Sequence, residues 1–419
     1  MARGGATEQA ARTSFRDVFA VAEFRALWLA QLLSVVGDQL ARVALTVLVY
    51  DRTRSALLAA VTFVASIVPT FIGGLTLAWL ADRYPRRAVM ITCNLIQGLL
   101  VLVMVIPHVP LAALVALLFA VTLADAPFAS ARAAVLPDVL TGDRYVVGTA
   151  VGLTTYQFAQ VLGFAVGGAV VGFFGTRTSL VIDAATFGGV ALILRAWVRR
   201  RPAPAGSVSD QRESSRLVGI FAGARLVLGR ATLRTPLLFG LLSAFYNVPE
   251  GVAAPLARAV GGGAAAVGVI LAANSLGQTV GALVFSRFVA PRTRLHLMGP
   301  LAFSACAVLV LFFWRPGLLV TLLILAASGL CAAYQLAANA AFVQAAPQEQ
   351  RSQAFGVAQG AMSLGQGVVM ILAGAVAEHH SPALAIAVCG TVGALAALTV
   401  AISAARDRGQ PARRRHHHG

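Results

Sequence analysis

Twelve long apolar stretches, separated by short breaks that hold nearly all the charge, constrain this chain more than any other feature of its sequence. They cover residues 27–50, 56–81, 88–107, 111–132, 146–174, 178–197, 236–257, 264–288, 295–314, 318–341, 353–377 and 382–405. A helix rises about 1.5 Å per residue, so roughly 20 apolar residues cross the hydrocarbon of a bilayer. Each stretch reaches that length. Breaks such as Pro107-His108-Val109-Pro110 and Arg315-Pro316-Gly317 leave room only for a reversal, so neighbouring helices are expected to be antiparallel. The sequence therefore predicts an all-α membrane protein of twelve transmembrane helices.

Only 12% of the 419 residues are charged and 58% are hydrophobic, with a mean hydropathy of +0.80. Soluble domains carry about 25% charged residues, and so few charges could not cover a chain this long in water. The net charge of +17 does not point to nucleic acid. All 33 basic residues are arginines scattered in short runs between apolar segments, with no aromatic interleaving for base stacking. Placing the N-terminus inside puts 27 of them on the inner side and 5 outside, with Arg42 within the first span. The positive-inside rule then predicts cytoplasmic termini on a multi-pass inner-membrane protein. The apolar run that begins after Arg25 is too long for a signal-peptide core and is expected to stay in the membrane.

The longest inner segment opens Arg199-Arg200-Arg201-Pro202 and continues through Pro, Ser and Gly. It reads as a linker, 199–235, between six-helix bundles at 1–198 and 236–419. Its later part, Leu217–Leu233, is expected to be an amphipathic surface helix with Arg216, Arg225, Arg230 and Arg234 reaching lipid phosphates. A shift of 207 residues aligns Ala131-Arg132-Ala133-Ala134 with Ala338-Asn339-Ala340-Ala341, Arg144 with Arg351, and Gly167 with Gly374. Six-plus-six pseudo-symmetry is a plan many secondary carriers use.

After the second span the chain reads Ala78-Trp79-Leu80-Ala81-Asp82-Arg83-Tyr84-Pro85-Arg86-Arg87. This resembles the signature between helices two and three of the major facilitator superfamily. Asp82, Arg83, Arg86 and Arg87 match it, while Ala78 and Pro85 replace its two glycines. Gly37-Asp38, the run Ala131 to Asp138 after helix four, and a Gly-rich helix five are similar to the drug–proton antiporter branch that includes macrolide and enterobactin exporters. The resemblance implies a major facilitator fold of two pseudo-symmetric bundles. It also implies a gating role for Asp82 against the start of helix eleven near Gln353, with Arg83, Arg86 and Arg87 pairing with nearby acids such as Asp138 and Asp143.

An ionised carboxylate at the bilayer centre costs about 2.5–3.5 kcal/mol on insertion scales, so acids within spans face a cavity, a base or a proton. Asp38, Asp125, Asp183 and Glu250 are such acids. Asp38 shares a helical face with Gln31, Ser34 and Arg42 and is expected to pair with Arg42 in a breakable contact. Asp38, Glu250 and Asp125 are the candidate proton-coupling residues. Asp183, near the outer end of helix six, is read as reaching interfacial water. Candidate substrate contacts are Gln31 and Arg42 in helix one, Tyr156 and Gln160 in helix five, and Phe245, Tyr246 and Asn247 in helix seven. Asn274 and Gln278 in helix eight, Gln335 and Asn339 in helix ten, and Gln359, Met362 and Gln366 in helix eleven complete the set. Amides among apolar neighbours suit an amphipathic organic substrate.

No Walker loop is possible without Lys, and no Ser-His-Asp set or His-Glu-x-x-His motif occurs, so no enzyme, cofactor or metal is expected. Cys93, Cys306, Cys331 and Cys389 lie singly in apolar segments. His379-His380 falls in an outer loop and His416-His417-His418 in the tail. The function expected is proton-coupled efflux of a drug, natural product or siderophore by a monomer whose partners are substrate, protons and bilayer. The alternatives are an importer of an anionic organic solute and a receptor or scaffold without turnover.

Overall fold

The computed structural model describes residues 14–202 and 223–409. Helices α1 (Ala22–Thr53), α2 (Ala56–Thr76), α3 (Arg86–Val105) and α4 (Leu111–Val139) come first. A single helical run of 55 residues, Asp143–Trp197, comes next. Straight, it would measure about 80 Å, more than twice the hydrocarbon thickness. Gly175, at φ 79° and ψ 167°, turns the chain back in a conformation closed to other residues. The contacts with α1 show the reversal. Before Gly175 they run in the direction of α1, with Gly152 beside Gln31, Gly163 beside Gln39 and Gly167 beside Leu40. After it they run backwards, from Asp183 at Gly37 to Gly189 at Leu33, and the Arg199 N–H donates to Glu23. The two arms, 143–174 and 176–197, are α5 and α6.

The second half holds α7 (Ala231–Gly251, carried on by Ala253–Ala259), α8 (Ala264–Phe288), α9 (Thr293–Trp314), α10 (Leu318–Ala345), α11 (Gln353–His379) and α12 (Pro382–Arg406). These are the twelve expected spans among the described residues, in a wholly helical bundle. The termini of the described chain mark one face of it, the terminal face; the opposite face is the distal one.

Two segments differ from the sequence reading. α4 does not stop near 132 but continues to Val139, because Pro137 falls in its last turn and the Leu140 N–H still reaches the Leu136 carbonyl. The expected surface helix is also altered; its residues 217–222, with Arg216, lie outside the described residues. The remainder forms a short helix, Gly223–Gly229, set at 98° to α7 by a break at Arg230. Val227 is fully buried against Leu233, Leu237, Phe342, Ala354 and Ala358. Its apolar face is satisfied by protein rather than lipid, while Arg225, Arg230 and Arg234 stay exposed.

Prolines interrupt the helices that carry polar residues. α2 breaks before Pro69, α4 at Ala124 before Pro127, and α7 at Leu242, Asn247 and Val252 around Pro249 and Pro255. α10 breaks at Ala332-Ala333 without one. Carbonyls released at such breaks must find donors inside a membrane. They do: Gln97 donates to Val121, the Tyr334 hydroxyl to Phe239, Gln335 to Gly240, and Arg42 to Ser66.

The two halves meet through symmetric pairs, α5 on α8 and α11 on α2. At the first crossing a β-carbon on Gly168 would stand 2.6 Å from the Gly268 Cα; at the second, one on Gly374 would stand 2.7 Å from the Ala60 Cβ. Two polar contacts reinforce this at the distal face. Arg258 after α7 pairs with Asp51 at 2.7 Å, and the Glu378 carboxylate at the end of α11 accepts the Ala56 and Leu57 N–H groups at 2.5 and 3.2 Å. An acid at a helix N-terminus also meets the positive end of the helix dipole.

Within the second half, α8 and α10 cross so tightly that a β-carbon on Gly277 would enter the Ala326 carbonyl and one on Gly329 the Asn274 carbonyl. Backbone cannot yield as a side chain does. Gly277→Ala is therefore expected to lower stability by at least about 1–3 kcal/mol, the usual cost of overpacking. Thermal unfolding in detergent measures it, and an unchanged midpoint would contradict the crossing.

Candidate functional site

Midway along the bundle, Arg42 of α1 forms the hub of a polar cluster. Its guanidinium donates to the Ser66 carbonyl at 3.1 Å, in the α2 break, and to Gln39 Oε1 at 3.4 Å. The expected ion pair with Asp38 is not made. The break in α2 supplies a carbonyl that takes the guanidinium instead, and the ion pairs among the described residues lie elsewhere, at Arg86, Arg201 and Arg258. Asp38, Asp125 and Glu250 nevertheless all lie within range of the Arg42 charge, as does the Tyr156 hydroxyl. Groups on α1, α4, α5 and α7, from both halves, thus feel one guanidinium through space.

Two of the acids are positioned by an amide neighbour. Asp125, at the α4 break, accepts from Gln97 of α3 at 2.5 Å. Glu250 accepts from Asn274 of α8 at 3.0 Å, and Asn247 Oδ1 accepts from both Asn274 and Gln278 at 3.3 Å. The breaks in α7 present Asn247 and Glu250 together on this face. Phe245, two residues before Asn247 and so on the other side of the helix, packs on Gly393 of α12 instead of entering the cluster. Tyr156 is 40% exposed and lies within range of four half-buried ionisable groups from both halves, so its free surface belongs to the space between them. Gln160, half-buried, comes one turn later on α5.

Gln31 is used differently from expectation. It bridges helices, accepting from Arg132 at 2.5 Å and donating to the Gly152 carbonyl at 3.4 Å. Arg132 has no carboxylate within ion-pair distance among the described residues.

The second half contributes a separate cavity of about 330 Å³ lined by Gly240, Gln335, Asn339, Phe355, Gln359 and Met362, among others. Four residues singled out from sequence, on α10 and α11, therefore share one hollow with the bare backbone of Gly240. Gln335 is tied at 3.2–3.3 Å to the hydroxyls of Tyr334 and the buried Tyr246. Gln366 lies half-buried on α11, between Gly365, which faces Leu241, and Gly367, which faces Val64 and Val68.

The acidic-basic signature after α2 divides. Arg86 pairs with Asp138 at 2.9 Å and donates to the Ala134 carbonyl, fixing α3 to the end of α4. Arg87 does not find Asp143; it donates to the Leu194 and Arg195 carbonyls. A cation at the carbonyl end of α6 complements the helix dipole. Arg83 stacks over Trp79, 5.8 Å from the ring centre. Asp82 is exposed and makes no hydrogen bond to the described start of α11 in this conformation. All these contacts fall within the first half. The halves are joined at the distal face by the Arg258–Asp51 and Glu378 contacts, and Tyr156, Asn339 and Gln359 are exposed.

Sequence reasoning passed over Gln97, Glu378 and the burial of Asp183. Gln97 and Glu378 were legible only as polar residues near apolar runs. Asp183 was legible as an acid within a span, but its depth depends on how α6 turns against α1.

A polytopic bundle of broken helices, halved by pseudo-symmetry around a polar centre, is the architecture of a membrane carrier. The family model of the Major Facilitator Superfamily matches residues 27–249 and 247–419, and the chain belongs to that superfamily. Solved structures agree on the fold. A peptide transporter of the POT family in complex with sulfate superimposes with a TM-score of 0.73 at 14% identity, covering 94% of this chain and 96% of its own. The nucleoside transporter NupG gives 0.67 at 17%, covering 90% and 98%. A bacterial homologue of the human lysosomal transporter Spinster gives 0.63 at 16%, covering 93% and 95%. No curated protein matches the sequence. The chain is a multi-pass membrane protein and a secondary transporter.

Proposed function

We propose that this carrier couples the inward flow of protons to the export of an amphipathic small molecule (a drug, natural product or siderophore) by alternating access. The terminal face is cytoplasmic in this reading, as the arginine distribution implies, and the membrane is the inner one. The observation that carries the proposal is the charge count at the centre. Away from the ends of the spans, where Arg195 and Arg287 sit, four carboxyls, Asp38, Asp125, Asp183 and Glu250, are accompanied by two guanidiniums, Arg42 and Arg132. Leaving the excess ionised in a membrane interior is costly, and protons are the simplest means of removing it. Asp38, Asp125 and Glu250 lie within range of the Arg42 charge without pairing with it, so protonating one of them weakens the through-space attraction to the guanidinium and changes what the two halves offer each other.

Substrate would lie between this charged cluster and the neutral cavity at Gly240, Gln335, Asn339, Gln359 and Met362. One wall is ionic and the other combines amides with apolar surface, which supports an amphipathic ligand. The conformation, closed distally, is the one that accepts substrate from the cytoplasm. Asp82, unbonded to α11 here, would engage the start of that helix when the terminal face closes.

Everted membrane vesicles loaded with a pH-sensitive dye test this. Addition of a transported compound from a panel of amphipathic drugs is expected to dissipate the proton gradient, and cells carrying the protein should accumulate less of it. Tight binding without flux, or higher cellular accumulation, would overturn export.

A further inference from the structure

Asp183 is the acid for which the arrangement around Arg42 has no use, and its setting is unlike that of the other three. It is 1% exposed, on α6, with its carboxyl lodged against the bare backbone of Gly37 on α1. A β-carbon at Gly37 would stand 2.5 Å from Asp183 Oδ1 and would also strike the Thr186 hydroxyl. That glycine is what gives the carboxyl room. Oδ2 has no hydrogen-bond partner, and Oδ1 has only the Thr186 hydroxyl, at the long distance of 3.5 Å. No cation among the described residues pairs with it.

We infer that Asp183 is a proton-carrying residue of the transport cycle, protonated in this conformation and exchanging its proton through Asp38. Two alternatives meet obstacles. A carboxylate left ionised there would be buried without counter-charge or strong donor, which proteins avoid. A protonated Asp retained only for architecture would donate a strong hydrogen bond, because an unsatisfied buried donor is itself a cost; Oδ2 has no partner, and the acceptor beside Oδ1 is the Thr186 hydroxyl, 3.5 Å away and itself donating to the Asp183 carbonyl at 2.7 Å. A group with a proton but no fixed partner suits one that changes protonation during the cycle.

The surroundings define the route. Asp38, next to Gly37, is half-buried and interacts through space with both Asp183 and Asp125. Arg42 acts on Asp38 from the same helix, and the α3 residues Asn94 and Gln97 lie beyond, where Gly98 packs on Ala184 and Phe187 of α6. Among the described residues no three His, Cys, Asp or Glu side chains converge tightly enough to hold a metal ion. When one of two neighbouring acids ionises, it disfavours ionisation of the other. Loss of the Asp38 proton to the cavity would therefore hold the proton on Asp183 until the helices move.

This inference rests on the carrier reading, and its test separates the two. Infrared difference spectra between acidic and alkaline medium would be recorded on the full chain in liposomes, with no substrate present. The wild type is expected to show a protonated-carboxyl band that Asp183→Asn loses and that Asp38→Asn displaces along the pH axis. Identical carboxyl bands in wild type and Asp183→Asn overturn the inference. Should the Asn variant not survive purification, Asp183→Glu keeps an acid: a displaced band supports the assignment and an unchanged spectrum overturns it. Proton flux is then measured in everted vesicles with ethidium as the transported probe. Wild-type vesicles without flux would sink the export reading while the infrared result stands on its own. Flux in the wild type with an equal proton yield in Asp183→Asn would sink the role of Asp183 alone.

Discussion

Asp38→Asn will bind substrate yet fail to concentrate it: in vesicles with an imposed proton gradient, the accumulation ratio should fall to about one. The reason is one of linkage. A gradient can drive a carrier only through a proton that binds its two states unequally, and a site that no longer binds a proton biases nothing. Asp38 is placed for this because it lies between Arg42, Asp125 and Asp183 and retains access to the central space. Asn keeps the size and loses the titration, so downhill exchange should persist. Uphill transport at the wild-type level would remove Asp38 from the coupling scheme. Glu250→Gln is the parallel case in the second half, where Asn274 would remain as a partner for the amide.

The second large effect concerns the distal closure. Removing both contacts there, with Glu378→Ala and Arg258→Ala, is expected to shift the population toward the state open at the distal face by about tenfold or more, since each is worth about 1 kcal/mol after allowing for solvent exposure. Glu378 accepts two backbone N–H groups at the start of α2, and Arg258 takes both oxygens of Asp51. Both contacts join one half to the other and neither is internal to a half, so their loss should change the balance of conformations more than the stability of either bundle. Distances between spin labels on α1 and α7 at the distal face report the shift. If the distribution is the same with and without the two side chains, the contacts are incidental to closure. High salt should weaken the Arg258–Asp51 pair in the same direction, because exposed ion pairs are screened.

Much of this molecule can be read from the order of its residues. The spans, their number and the alternation of arginine between breaks come from a cost that each residue meets by itself, the transfer of a polar group into hydrocarbon. That is why α8, Ala264–Phe288, falls on the limits expected from its sequence. It is also why Asp38, Asp125 and Glu250 could be singled out before their neighbours were known. Of the four cavity residues, Gln335, Asn339 and Gln359 came from helical spacing, since residues one turn apart share a face whatever the helix packs against, and Met362 came as an apolar neighbour of those amides.

Partners were another matter, because they depend on the rotation of each helix and on where it breaks. Arg42 looked committed to Asp38 four residues away, but the α2 break before Pro69 released the Ser66 carbonyl, and the guanidinium took it. Arg87 went to the end of α6 instead of Asp143, and Phe245 turned away from the centre while Asn247 turned toward it. Asp183 was an acid in a span by sequence; only the packing of α6 on Gly37 made it one without a partner. Sequence alone determined which groups the membrane must tolerate. Tertiary structure decided which of them are answered by a neighbour and which are left for a proton, because that choice is made by contacts between helices far apart in the chain.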